Sequence, residues 1–329
     1  MGAGPVVRGL AAISVAVLLA ACGADDPEAA TTTTTAATVA PAATTAPLPP
    51  LPAAVAARDV RALVTPTGVV VPVLGPAPGG ALQVRTPCGA TAAVAGGTPL
   101  HGATVVLDPG HGGDEPGALG ENGLREADVN LAVATLAGNR LSAAGATVVL
   151  TRTSDLRVTL ATRALLATRL GARVLVSVHH NADPDGPSDR PGTEVWHRVD
   201  DPASRRLAGL VQEEVVATFT AYEDVAWQAD RDAGAKARRR SRGDDYYGVL
   251  RDAGVPAVIS EALFISNPPE AALLARPEVQ QAEADALARA IARFLTTDDP
   301  GSGFVDAYPR AEAAGPGGGS TGCVDPALS

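Results

Sequence analysis

The sequence predicts an α/β fold built on a largely parallel sheet and preceded by a small β-rich appendage. Short Val-rich runs at 103–107, 146–150, 173–178 and 256–260 alternate with longer segments whose apolar residues recur at helical spacing. Those runs lack the apolar–polar alternation of a half-exposed sheet, as strands buried on both faces do. Ahead of them, Val69-Val70-Val71 and Leu82-Gln83-Val84 are brief and set between Pro and Gly pairs, the pattern of short strands joined by tight turns. A chain of 329 residues with 46% hydrophobic and 19% charged content can bury one large core and still carry appendages.

Taken in order, residues 1–22 read as a targeting signal. Arg8 precedes an apolar stretch from Leu10 to Ala21 that is too short to span a membrane comfortably and ends in small residues. Leu19-Ala20-Ala21-Cys22 resembles a bacterial lipobox, which implies cleavage before Cys22 and a lipid on its sulfur. The expected location is therefore outside the cell, anchored through Cys22 to the outer face of the cytoplasmic membrane. Residues 23–57 are Thr, Ala and Pro with few large apolar side chains, so a disordered spacer that gives the anchored protein reach is expected.

Residues 58–102 form the expected β-appendage and hold Cys88; residues 297–329 form a Gly/Pro-rich tail and hold Cys323. With Cys22 lipidated, these are the two cysteines left in an oxidising compartment, and a Cys88–Cys323 disulfide clasping both ends of the protein is expected, against the alternative of two free thiols.

The catalytic domain is placed at 103–296. Val129, Val133, Leu136 and Leu141 predict a helix after Glu126; further helices are expected at 156–170 and 202–219, and a last one carries Val279, Leu287, Ile291 and Phe294. On this outline four reactive side chains fall on one edge. His111 follows the first strand by an Asp-Pro-Gly turn, His179 and Glu261 sit at the carboxyl ends of two others, and Glu126 begins a helix, where the positive end of the dipole keeps a carboxylate ionised. That edge is where open α/β sheets bind ligands. Two His and one Glu make a catalytic zinc shell with one position left for water. Zn2+ there would polarise a carbonyl and activate water, with Glu261 as the proton carrier.

The segment 103–295 resembles the zinc-dependent N-acetylmuramoyl-L-alanine amidases, the type 3 catalytic domain of bacterial cell-wall amidases, here as an exported lipoprotein of actinobacterial type. The resemblance rests on D-P-G-H-G-G at 108–113, L-R-E-A-D-V-N-L at 124–131, T-R-T-S-D at 151–155, S-V-H-H-N-A at 177–182 and E-A-L-F-I-S-N at 261–267. It implies a mixed, mostly parallel sheet flanked by helices, His111, Glu126 and His179 as zinc ligands, and Glu261 as the catalytic carboxylate. The implied reaction cuts the amide between N-acetylmuramic acid and L-alanine in peptidoglycan, for cell-wall remodelling or turnover, and leaves room for a protein activator.

Two positions depart from the family pattern. His180 stands where a small residue is usual, so either imidazole of the pair could be drawn as the ligand; spacing to Asn181 and the alternation of side chains along a strand favour His179. Ala262-Leu263-Phe264 replaces a Gly-containing stretch, which bears on local loop geometry. Asp108 and Asn181 are expected to orient the two histidines by hydrogen bonds. Arg152 and Arg163 could contact a substrate carboxylate, against the plainer reading of solvated arginines. His101 and His197 are read as surface or packing residues.

Residues 222–247 combine Trp227, a basic cluster at 236–242 and Asp244-Asp245, and read either as a flap over the active edge or as a charged, solvent-facing segment. The net charge of −10 disfavours a nucleic-acid partner. No G-x-G-x-x-G or G-x-x-x-x-G-K-[ST] loop marks a nucleotide cofactor. Two other functions share these residues: a catalytically silent peptidoglycan-binding lipoprotein, and a zinc peptidase cutting within the stem peptide.

Overall fold

The Val-rich runs of the appendage become β1 (Ala62–Val64), β2 (Val70–Pro76), β3 (Leu82–Arg85), β4 (Thr91–Val94) and β5 (Thr98–Leu100). In the computed structural model, which describes residues 46–183, 186–187, 192–222, 233–306, 308–309 and 318–329, these form one antiparallel sheet in the order β4-β3-β2-β1-β5. Leu63, Val71, Val73, Val84 and Val94 fill its small core.

The second sheet has six strands: β6 (Val105–Pro109), β7 (Val148–Leu150), β8 (Val174–Asn181), β9 (Glu194–His197), β10 (Gly234–Lys236) and, after the short β11 (Arg238–Arg239), β12 (Ala257–Phe264). Their order is β10-β9-β12-β8-β6-β7. The four strands β7, β6, β8 and β12 are parallel, β9 runs antiparallel to β12, and β10 is parallel to β9. The sheet is thus mixed and mostly parallel.

Helices cover both faces, which is why the inner strands tolerate no polar alternation. Val105, Leu107, Val174 and Val176 face a core shared with α1 (Glu126–Ala143), α3 (Pro202–Phe219) and α6 (Pro277–Thr296). Val106, Leu175 and Ile259 face the other way, against α2 (Leu160–Leu170) and α4 (Gly248–Asp252). A short α5 (Pro268–Leu274) follows β12, with the Asn267 side chain capping it through the Glu270 amide. Helix α3 matches its expected bounds because Asp201 accepts from the Ala203 and Ser204 amides and Pro202 takes the first turn. Helix α2 starts later than expected: Thr159 donates its N–H to Pro87 of the appendage, which holds the preceding residues extended.

One expected boundary moves. The expected disordered spacer does not reach residue 57, since Leu51 is buried in the main core, its N–H bonds Ala144, and Thr104 donates to the Pro52 carbonyl. Within 222–247, read as either a flap or a solvent-facing segment, residues 234–236 are the edge strand β10, with Ala235, Lys236 and Ala237 buried, while residues 241–243 are exposed and residues 223–232 lie outside the described residues. The tail is attached at both described ends: Phe304 lies under the Arg205 guanidinium on α3, and Cys323 is disulfide-bonded to Cys88 across 235 residues, as expected. Residues 1–45, including Cys22 and the signal segment, lie outside the described residues, as do Trp227 and 307 and 310–317 of the tail.

Candidate active site

Strand ends and one helix start bring the site together. Helix α1 begins at Glu126, whose N–H bonds the Ala118 carbonyl, and the side chain projects to the carboxyl ends of β6 and β8. Glu126 Oε2 lies 3.1 Å from His111 Nε2, and Oε1 lies 2.9 Å from His179 Nδ1. One ligand atom from each of the three residues falls within 4.8 Å of the others, so the trio could hold a metal ion. Two imidazoles and a carboxylate suit Zn2+, and the two rings meet edge-to-face at 4.9 Å, leaving their nitrogens directed at the carboxylate.

Backbone geometry makes this approach feasible. Among the described residues, His111 alone outside glycine has positive φ, 59°, the kind of local strain that persists where surrounding structure imposes it. A Cβ on Gly110 would lie 2.1 Å from the His179 ring, so only glycine lets the loop pass that histidine.

Two arginines impose the loop's shape. Arg163 donates Nη1 to Asp108 Oδ1 and to the Pro109 carbonyl, both at 2.6 Å, and Nη2 to the His111 carbonyl at 2.8 Å. Arg152 donates to the carbonyls of Pro109, Gly110 and Ala127. At 1% and 2% exposure, Arg152 and Arg163 are not solvated arginines; they fasten the His111 loop, because a guanidinium fork satisfies several buried carbonyls at once. Asp108 orients the loop as expected, through Arg163, Ser177 and Thr151. Burial pushes its carboxyl up, but the Arg163 charge and the two hydroxyl bonds outweigh it, and the net shift is downward.

His179, not His180, faces the site. His180 is buried on the opposite side of β8, with Nδ1 2.8 Å from Asn130 Oδ1 and Nε2 2.9 Å from Glu283 Oε2. Asn130 in turn donates Nδ2 to Glu126 Oε1 and to the Gly110 carbonyl, both at 3.3 Å. Since those two partners only accept, the Asn130 amino group must face them, its oxygen must face His180, and His180 Nδ1 is therefore the donor. Glu126 also accepts from the Ala118 and His180 backbone amides.

Glu261 sits on β12 beside His179 in the strand register and opposite Glu194 of β9. Its Oε2 is buried and makes no hydrogen bond within the protein. Burial pushes its carboxyl well above the usual range, and the Glu126 and Glu194 charges push the same way. Burial opposes ionisation of Glu126 too, but bonds from His111 and His179 outweigh it and hold that carboxyl well below the usual range. Two carboxyls pushed apart in this way divide into a permanent anion and a proton carrier. Burial also lowers the His179 pKa, which keeps an imidazole neutral and able to ligate.

Sequence reasoning missed Glu194 and Lys236. Lys236, the single lysine of the chain and 0% exposed, bonds Glu194 Oε1 at 2.5 Å, and Asn181 donates to Glu194 Oε2 at 2.6 Å. The available signal was a lone lysine among arginines. Asn181 therefore braces Glu194 rather than His179. His197 bonds the Arg198 carbonyl away from the site, as expected of a packing residue.

With this geometry in place, comparison with known proteins is decisive: the family described as N-acetylmuramoyl-L-alanine amidase matches residues 105–293. The chain belongs to that family. The matched span covers β6 through α6 and thus all four site residues. Among similar proteins, YqiI of Bacillus subtilis, which is uncharacterized, is 36% identical over 195 residues, covering 59% of this chain and 85% of YqiI. The N-acetylmuramoyl-L-alanine amidase LytC of Bacillus subtilis is 32% identical over 57% of this chain but only 35% of its own length. The crystal structure of an N-acetylmuramoyl-L-alanine amidase from Clostridium difficile 630 superposes with a TM-score of 0.52 at 29% identity, covering 60% of this chain and 98% of that one.

Proposed function

We propose that this amidase-family chain is zinc-dependent and hydrolyses the amide between N-acetylmuramic acid and L-alanine in peptidoglycan. We further propose that it acts in remodelling or turnover of the wall, exported and held to the membrane by a lipid on Cys22. The observation that carries the reading is the convergence of His111, Glu126 and His179 beside Glu261, whose buried Oε2 has no partner.

His111, Glu126 and His179 would hold the zinc. Bound there, zinc supplies Lewis acidity toward the scissile carbonyl and toward water. The chain's own groups supply the rest. Glu261 takes a proton from the attacking water at Oε2 and returns it to the departing alanine nitrogen, breaking the amide into a carboxylic acid and an amine. Its raised pKa makes it basic enough to keep that proton between the two steps. The fastened His111 loop keeps the ligands in place without reorganisation.

Mass spectrometry of fragments released from purified peptidoglycan by the soluble protein from Gly23 onward, which keeps the core residue Leu51, tests this. Stem peptides beginning with L-alanine, lost with chelator and in Glu261→Ala, are expected. Cuts inside the peptide would point to a peptidase, and wall binding without release to a silent module.

A further inference from the structure

The cleft in front of the site, about 510 Å³, runs from His111 and His179 past Val158 and Leu160 to Gly318. Gly318 is far outside the matched family residues and enters the cleft from the C-terminal tail. We propose that residues 318–323 form a strap that holds Gly318 in the wall of this cleft and thereby strengthens binding of the peptidoglycan segment flanking the scissile amide. This deepens the amidase reading and rests on it.

The strap is fixed along its length. Gly318 donates its N–H to Glu115 Oε1 at 3.0 Å and accepts from the Leu160 N–H at 2.9 Å. Arg157 gathers the neighbours: it bonds the Gly319 carbonyl and pairs with Asp114 and Glu115, all within 2.9 Å. Arg157 thereby offsets one of the two rim carboxylates, and the stretch of wall that Gly318 forms with Val158 and Leu160 is itself uncharged, suited to a neutral part of the polymer. Cys323 is then bonded to Cys88, the Cys88 N–H donates to Asp325 Oδ1 at 2.7 Å, and Leu328 packs on the appendage core. The appendage also holds the extended residue Thr159 through Pro87. It therefore braces both the strap and the 158–160 segment on which Gly318 sits.

Gly318 is the residue that lets the strap lie flat. Its φ is +74°, and a Cβ would lie 2.4 Å from Leu160 Cγ. A side chain there lifts the strap off Leu160 while the disulfide stays closed.

Gly318→Ala and, separately, Cys88→Ser/Cys323→Ser should be made in the zinc-loaded protein, with and without Glu261→Ala. Hydrogen exchange of the Leu160 amide reads strap seating. Titration with soluble peptidoglycan fragments in the Glu261→Ala background reads Kd. Faster Leu160 exchange, a Kd about fivefold weaker, and a rise confined to KM in the active background are expected, with zinc content unchanged. Faster exchange with unchanged or tighter Kd overturns the wall, as does exchange that stays slow in both variants, because the strap is then not seated by these contacts. If the unaltered protein releases no stem peptides, the amidase reading fails, and the Kd comparison still decides the strap.

Discussion

Replacing Arg163 by Met tests whether the His111 loop is held by a buried guanidinium. The side chain makes bonds to the Val158, Pro109 and His111 carbonyls and to Asp108, at 2.6 to 2.8 Å. Met keeps much of the volume and removes all of these bonds. Asp108 then keeps only the Ser177 and Thr151 hydroxyls, and an uncompensated buried carboxylate of this kind costs about 3–5 kcal/mol. Pro109 keeps a donor in Arg152, whereas the His111 carbonyl loses the Arg163 donor, so the ligand loop is the part that shifts. Metal affinity should fall about 10–100-fold, the usual cost of losing a group that orients a ligand. Urea unfolding of the metal-free protein and competition with a zinc chelator measure the two effects. Asp108→Asn/Arg163→Met should recover part of the stability but not the affinity, because the orphaned charge is gone while the loop remains loose. A loss under about 1 kcal/mol with unchanged zinc affinity would refute the reasoning.

His179→Ala should abolish tight zinc binding with little effect on the stability of the metal-free protein, whereas His180→Ala should cost about 3 kcal/mol by stranding Glu283; calorimetry with and without zinc separates them. Cutting the clasp by Cys88→Ala should lower stability by up to about 5 kcal/mol, the loop-closure entropy for a 235-residue separation, read by urea unfolding with and without reductant. Asp108 has its pKa lowered in the folded state, so its contribution is fully present above about pH 4 and is lost as pH falls through the folded value; Asp108→Asn should flatten that part of the acid-unfolding curve. Glu261 must be deprotonated to accept the water's proton, and its pKa is raised, so activity should climb with pH over a range above that of an ordinary glutamate; a profile flat from pH 5 upward would argue against its role.

The alternation of Val-rich runs and helical periods determined the α/β class, because strands covered on both faces cannot carry polar residues at every second position. Local chemistry also marked the helix start at Glu126 and, with Asp201 and Pro202, the bounds of α3. The choice between His179 and His180 was half legible: alternation along β8 says they point apart, but only the packing of α1 and α6 against one face decides which side is the site. Arg152 and Arg163 were misleading as sequence, since nothing local distinguishes a solvated arginine from one buried to satisfy carbonyls 40 or more residues away. The Glu194–Lys236 pair depends on β9 and β10 meeting at the sheet edge, and the wall of the cleft depends on a tail returning 235 residues along the chain to Cys88. Periodicity and capping are carried by neighbours in the chain, so sequence reports them. Cysteine counting also pointed to the Cys88–Cys323 closure of the tail, whereas pairing of charges and loop fastening are carried by neighbours in space, and those the tertiary structure alone decided.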